Sequence, residues 1–251
     1  MTDARETPRD EARGELEWER LADGVGRCRL PGWDCTTGLV VGEGAALMVD
    51  AGSSHAEGAR LRAWARARAG GDVTHLALTH PHFDHIFGAA VFDGAEIFAA
   101  EGADAVFGDS GERAELREDA VRQGLDAKAA EEAADALVRP GREVRDRLTV
   151  RLGGGREVLL ANMGPAHSTH DLAVVVPGDP TVVFCGDLVE ESGEPQAGPD
   201  AVPSRWPAAL DRLLALGGED ALYVPGHGAV VDAAFVRAQR DALATRFGVS
   251  R

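Results

Sequence analysis

Short apolar runs, β-branched and bounded by Gly, Pro or Asp, recur along most of this chain. They are GLVV (38–41), AALMVD (45–50), HLALT (75–79), EIFAA (96–100), LTVRL (148–152), EVLLAN (157–162), LAVVVP (172–177), TVVFC (181–185) and ALYVP (221–225). Their length and punctuation predict β-strands. Between several of them the period changes to that of a helix. Ser53 or Ser54 is placed to cap an Ala/Arg-rich helix that stops at Gly70-Gly71. Trp206, Leu210, Leu213 and Leu214 form one apolar stripe at helical spacing; Val236, Leu243 and Phe247 form another. Both read as core faces. Strands alternating with helices predict an α/β protein.

Two stretches depart from this rhythm. Residues 1–16 carry many charges and few apolar side chains, which predicts a mobile leader ahead of a single domain over 17–251. Segment 101–145 is charged and rich in Ala, Glu and Arg, predicting one or two helices that either form a surface layer or cover a site.

Composition narrows the classes of function. A formal net charge of −16, with Lys128 the sole lysine, argues against nucleic acid as a partner, because phosphate contacts need clustered cations. No apolar run approaches the roughly 18 residues that a membrane span needs. The opening residues lack the apolar stretch of an export signal. Cys28, Cys35 and Cys185 are odd in number and widely spaced, which suits a reducing compartment. The expectation is a cytoplasmic protein with a small-molecule substrate; the oligomeric state is left open.

Candidate chemistry starts at THPHFDH (79–85), which uses three of the chain's eight histidines. It follows a buried strand, and side chains at such a carboxyl end are held firmly while open to solvent. In an extended H-x-H both imidazoles point the same way, so His80 and His82 can share one metal ion. Asp84 and His85, turned elsewhere by the loop, can serve a second. Two histidines do not close a zinc site, which normally takes three protein ligands and an open position. Later strand ends offer the rest: His167 in GPAHSTHD (164–171), Asp187 in VVFCGD (182–187) and His227 in YVPGHG (223–228). A lone histidine at a strand end reads as structural. Four strand ends bearing metal-type residues do not.

H-x-H-x-D-H, then Gly-Pro-x-His, Gly-Asp and Pro-Gly-His-Gly, in that order over about residues 38–230, resembles the metallo-β-lactamase superfamily. The resemblance implies an αββα sandwich, two facing β-sheets with helices outside and metal ions at one edge. It implies that His80, His82 and His167 hold a first ion, that Asp84, His85 and His227 hold a second, and that Asp187 bridges them. By the same resemblance Asp50 braces the metal loop, and Trp33, Asp34 and Cys35 lie in a loop beside the site. His170 and Glu190 are placed near its rim. The implied cofactors are two divalent ions, zinc first, with iron or manganese also suited to nitrogen and oxygen ligands. Asp84 is then the expected catalytic residue, orienting the nucleophile and carrying its proton to the leaving group. Cys185, two positions before Asp187, reads as a buried hydrophobe and not as a ligand.

The superfamily hosts many chemistries, so the fold does not name the substrate. The chain has Leu188-Val189-Glu190-Glu191 where β-lactamases of the family commonly carry a cation, and it lacks the basic surface of nucleic-acid-processing members. The reading is a dinuclear metal-dependent hydrolase of a small ester, thioester, lactone or related carbonyl compound. Two alternatives stand beside it. One is a mononuclear iron oxygenase like the persulfide dioxygenases, using His80, His167 and Asp187; the other is a metal-binding module without turnover.

Overall fold

The computed structural model describes residues 16–249. The leader expected over 1–16 falls almost wholly outside them; Leu16 and Trp18, just inside, pack on the core.

The first half of the chain builds a seven-stranded sheet in sequence order: β1 (Glu19–Ala22), β2 (Val25–Arg29), β3 (Thr36–Val41), β4 (Ala46–Val49), β5 (His75–Ala77), β6 (Glu96–Ala100) and β7 (Arg142–Val144). β1 to β4 pair antiparallel; β4 to β7 are parallel. The parallel strands need crossovers, supplied by α1 (His55–Ala69), the short α2 (Phe83–Ile86), α3 (Ala103–Gly108), α4 (Ser110–Arg122) and α5 (Ala127–Asp135). The second half builds a five-stranded sheet from β8 (Arg147–Arg151), β9 (Glu157–Asn162), β10 (Leu172–Val176), β11 (Val182–Glu190) and β12 (Leu222–His227). Helices α6 (Trp206–Gly217) and α7 (Ala233–Phe247) follow β11 and β12. No helix among the described residues is long and apolar enough to cross a membrane.

The layers follow from the period of two along each strand. Leu47 and Val49 of β4 face inward and meet Leu160, Val174, Val182 and Phe184 of the other sheet, while Ala46 and Met48 face out under the first set of helices. Val175, Val183 and Cys185 face out in turn, under Trp206, Leu210 and Leu213 of α6 and Val236 and Leu243 of α7. Both faces of these strands are buried, which is why they read as continuous apolar runs and not as alternating ones. The architecture is an αββα sandwich.

The predicted ends of α1 hold. Ser54 Oγ accepts the Glu57 N–H at 3.2 Å, and Gly70 ends the helix at φ 70°. Segment 101–145 holds three helices and ends in β7, not in one or two helices throughout. Phe107, Ala120, Leu125, Ala130 and Leu137 bury themselves in the core of the first helical layer, and α4 rests on α2. The segment packs as a layer that meets α2 through α4 and meets the His167 loop through the Glu101 carbonyl, which accepts from His170.

Candidate metal centre

Every strand end singled out by its sequence reaches one edge of the sandwich, where the two sheets are tied together. The Leu172 N–H donates to the Thr79 carbonyl at 2.7 Å, and Cys35 makes an isolated antiparallel bridge to His227. His80, His82, His167 and Asp187 place one donor atom each within 4.8 Å of one another; His85, Asp187 and His227 form an adjoining set. Asp187 is common to both.

Asp187 enters this gap because its strand is interrupted. Up to Phe184, β11 pairs residue for residue with β12, and then the register shifts at Gly186 and again before Glu190. Gly186 takes φ 54°, and a Cβ there would lie 2.8 Å from the Thr79 side chain. This kink breaks the alternation that would put Cys185 and Asp187 on one face. Cys185 is buried beneath α6, its S–H donating to the Val183 carbonyl at 3.3 Å, while Asp187 turns into the cluster.

Around Asp187 the distances are short. Its Oδ1 lies 3.2 Å from His85 Nε2, and its Oδ2 lies 3.3, 3.5 and 3.6 Å from the Nε2 atoms of His227, His167 and His80. Asp84 Oδ2 lies 3.3 Å from His227 Nε2 and 3.6 Å from His85 Nε2.

The outer nitrogen of each histidine has a protein acceptor, which assigns its tautomer. His80 Nδ1–H donates to Thr79 Oγ1 at 3.0 Å, and that hydroxyl donates onward to Asp50 Oδ2 at 2.8 Å. His85 Nδ1–H donates to Asp50 Oδ2 at 2.9 Å and His227 Nδ1–H to the Trp33 carbonyl at 2.8 Å. His167 Nδ1–H donates to the Gln196 carbonyl at 3.1 Å, and His82 Nε2–H donates to Asp200 Oδ2 at 3.1 Å. In the neutral rings the inward nitrogens are then lone pairs. Those of His82 and His167 face each other at 3.1 Å, a contact that only a proton or a cation between them relieves. His80 Nε2 and Asp187 Oδ1 are buried with no hydrogen-bond partner. A divalent cation answers all three observations, and imidazole with carboxylate is a zinc-type donor set.

Electrostatics of the protein groups agree. Burial holds His80 well below the usual histidine range and brings His167 down to about 4, so both are neutral ligands. Burial works against protonation at His227 too, but the Asp187 and Asp84 carboxylates beside it push it up to about 12. Asp187 is held well below the usual carboxylate range: burial opposes this, and His227, His85 and His80 overcome it. Against burial, the carboxylates likewise raise His85 well above the usual histidine range and raise His82 through Asp200, so the cluster draws positive charge to itself.

Two carboxylates brace the loops. Buried Asp50, at φ 60°, accepts the Thr79 N–H at 2.7 Å besides the Thr79 hydroxyl and His85. Asp171, buried behind the second loop, accepts the N–H groups of Ala166 at 3.0 Å and Ser168 at 3.0 Å, on either side of His167. Asp50→Asn must present amide hydrogens either to the Thr79 N–H or to His85 Nδ1. We expect this variant to lose about 10–100-fold in affinity for a metal ion that His85 would help to hold. Calorimetric zinc titration checks it; unchanged affinities would leave Asp50 as a brace for the loop alone.

The remaining candidates sit as follows. Trp33 supports His227 through its carbonyl, and its ring packs edge-on against Phe83 at 5.4 Å. Asp34 does not reach the cluster: at φ 60° its carboxylate turns outward to pair with Arg29, Oδ1 accepting from Nε at 2.8 Å. His170 likewise stands apart, its Nδ1–H donating to the Glu101 carbonyl at 3.0 Å. Glu190 is buried near His227, with its Oε1 accepting from Ser192 N–H at 3.0 Å. Asp200 and Gln196, in the loop after β11, were not anticipated from sequence, whereas Cys35 was expected beside the site with Trp33 and Asp34, and its thiol does reach it. That thiol lies 3.4 Å from the Asp84 carbonyl and above the His85 ring.

The sequence model described as the metallo-beta-lactamase superfamily matches residues 30–227. The chain belongs to this superfamily. Solved members share its architecture at low identity, which speaks to fold alone. A metallo-beta-lactamase from Pontibacter korlensis is 20% identical with a TM-score of 0.68, over 91% of this chain and 98% of that one. One from Hirschia baltica is 17% identical with a TM-score of 0.65, over 92% and 98%. DIM-1 metallo-beta-lactamase is 17% identical with a TM-score of 0.67, over 93% and 99%. No curated protein sequence matches the chain significantly.

Proposed function

We propose that this superfamily member is a dinuclear metal-dependent hydrolase of small ester, thioester, lactone or related carbonyl substrates. The observation that carries the reading is the convergence of five bare histidine nitrogens and two carboxylates on one buried edge. His80, His82 and His167 would hold one ion, and Asp84, His85 and His227 the other, with Asp187 shared between them. When bound, the ions supply Lewis acidity for the substrate carbonyl and acidify the attacking water.

The protein's own part is positioning and proton transfer. Thr79, Asp50, Trp33, Gln196 and Asp200 fix the imidazoles, so little reorganisation accompanies reaction. Asp84 takes the proton of the water at its carboxylate and returns it to the leaving oxygen or sulfur as the acyl bond to that atom breaks.

Charge favours neutral or cationic substrates. Arg122, Arg139, Arg142 and Arg145 pair with Asp119, Asp104, Glu96 and Glu101, and Arg113 donates to the Phe107 carbonyl, so these cations are engaged away from the cluster. Like charges repel an incoming carboxylate over the range of the protein's field.

Metal analysis of protein purified without added metal, beside steady-state kinetics on matched neutral and anionic esters, thioesters, lactones and lactams, tests the reading. We expect two ions per chain, and higher kcat/KM on neutral substrates than on their anionic counterparts at low salt. A stoichiometry of one in saturating zinc would end the dinuclear assignment. Iron alone, with oxygen consumed on a persulfide, would replace hydrolysis with oxygenation. A preference for anionic substrates that fades with added salt would show a locally positive cleft.

A further inference from the structure

The loop between β11 and α6, residues 191–202, reads in sequence as a polar Gly/Pro connection with no motif. In the fold it passes behind the first set of histidines. Its Gln196 carbonyl accepts from His167 and its Asp200 carboxylate accepts from His82. It is fastened on both sides of those contacts. The Glu191 N–H donates to the His227 carbonyl at 3.1 Å, Arg246 of α7 donates to the Pro195 carbonyl at 2.8 Å, and the Val202 N–H donates to the Ala166 carbonyl at 2.8 Å. Two of the three imidazoles assigned to the first ion are thus oriented by this one loop.

Asp200 differs from the other outer partners. Its side chain is 36% exposed, whereas Asp50, which serves His85, is almost fully buried. His82 is also the one histidine of the five whose inward atom is Nδ1. Its ring therefore faces opposite to the others, and without an acceptor at Nε2 the proton is free to move to Nδ1 and block the ligand. No other hydrogen-bond acceptor for His82 Nε2 is found among the described residues.

We propose that Asp200 is a positioning residue that holds His82 with Nδ1 directed into the first metal site, setting the affinity of that site and leaving the second unaffected. This rests on the metal-site reading above. The carboxylate makes the imidazole a better electron donor and fixes its ring plane, and removal of such a partner characteristically costs about 10–100-fold in metal affinity. Because Asp200 is half-exposed and lies on a loop, its loss leaves the packed layers intact.

The test compares wild type with Asp200→Asn and Asp200→Ala by zinc titration, resolved into two sites, and by long-range proton–nitrogen NMR of the histidine rings in the zinc-loaded protein. In wild type His82 should show Nδ1 bound and a protected Nε2–H. Asp200→Ala should weaken the first site by about 10–100-fold, leave the second within twofold, and expose the Nε2–H to rapid exchange. Asp200→Asn keeps an acceptor oxygen and should lie between wild type and Ala. Equal weakening of both sites with a lower melting temperature of the metal-free protein would make Asp200 merely structural and overturn the proposal. Two zinc ions bound by Asp200→Ala with wild-type affinities and an unchanged His82 signal would overturn it alone. A wild-type chain that binds no zinc would overturn the metal-site reading itself.

Discussion

On the proposed dinuclear reading, Asp84→Asn should lower kcat by about 10²–10⁴-fold while the ion assigned to His80, His82 and His167 stays bound. Asp84 lies at the second position of α2, 8% exposed, with Oδ2 turned to His227 and His85 and not to the first three histidines. Asparagine preserves shape and packing but cannot accept a proton from water or carry one to a leaving group. The first set of ligands is untouched, so metal content should fall by at most one ion per chain. Steady-state kinetics and metal analysis on the same preparation decide it. Near-wild-type kcat in Asp84→Asn would reduce Asp84 to a ligand without a part in proton transfer.

Asp84 was legible in the sequence for the same reason the core strands were. The buried apolar runs of β11 and β12 lead straight to Asp187 and His227, and that of β5 leads into the loop that carries Asp84. Strands without that property escaped notice. β7 is three residues, two of them exposed, and β1 is an exposed edge strand. β2 contains Arg27, which reads as a surface residue; it is 3% exposed because its guanidinium donates to the Gly228 carbonyl at 2.7 Å and pairs with Glu19.

The outer partners of the ligands were legible only in part. Asp50 was expected only through the family resemblance, which implies a brace at the end of that strand. Trp33 and Gln196 act through backbone carbonyls, which every residue possesses, so no side-chain pattern marks them. Asp200 is one of 42 acidic residues in the chain, and only tertiary structure brings it to His82. Asp34 shows the converse. It sits at the expected place in the loop, and a single positive φ sends its carboxylate to Arg29.

On the proposed reading, Gly226→Ala should empty both metal sites, because the added methyl takes the space of Asp187, the ligand assigned to both. A Cβ on Gly226 would lie 1.8 Å from Asp187 Oδ1 and 3.0 Å from its Cγ, and 2.9 Å from the carbonyl carbon of Gly186. Rotating Asp187 relieves the first two contacts only by withdrawing the carboxylate from the four histidine nitrogens around it. The backbone contact remains, since β11 and β12 are hydrogen-bonded neighbours at this register shift. Forcing a methyl into such a space costs about 1–3 kcal/mol of stability, tolerable for a domain with a core on both faces of each sheet. Metal content of Gly226→Ala should therefore drop from two ions to less than one with the far-ultraviolet circular dichroism of the wild type, and kcat/KM should fall at least as far as in Asp187→Ala. The double variant Gly226→Ala/Asp187→Ala separates clash from simple ligand loss. With the carboxylate gone the methyl has room, so the double variant should melt above Gly226→Ala alone, a coupling expected of residues in direct contact. Additive losses in melting temperature, or a Gly226→Ala protein that keeps two ions, would mean that Asp187 reaches the metals by a path this glycine does not control.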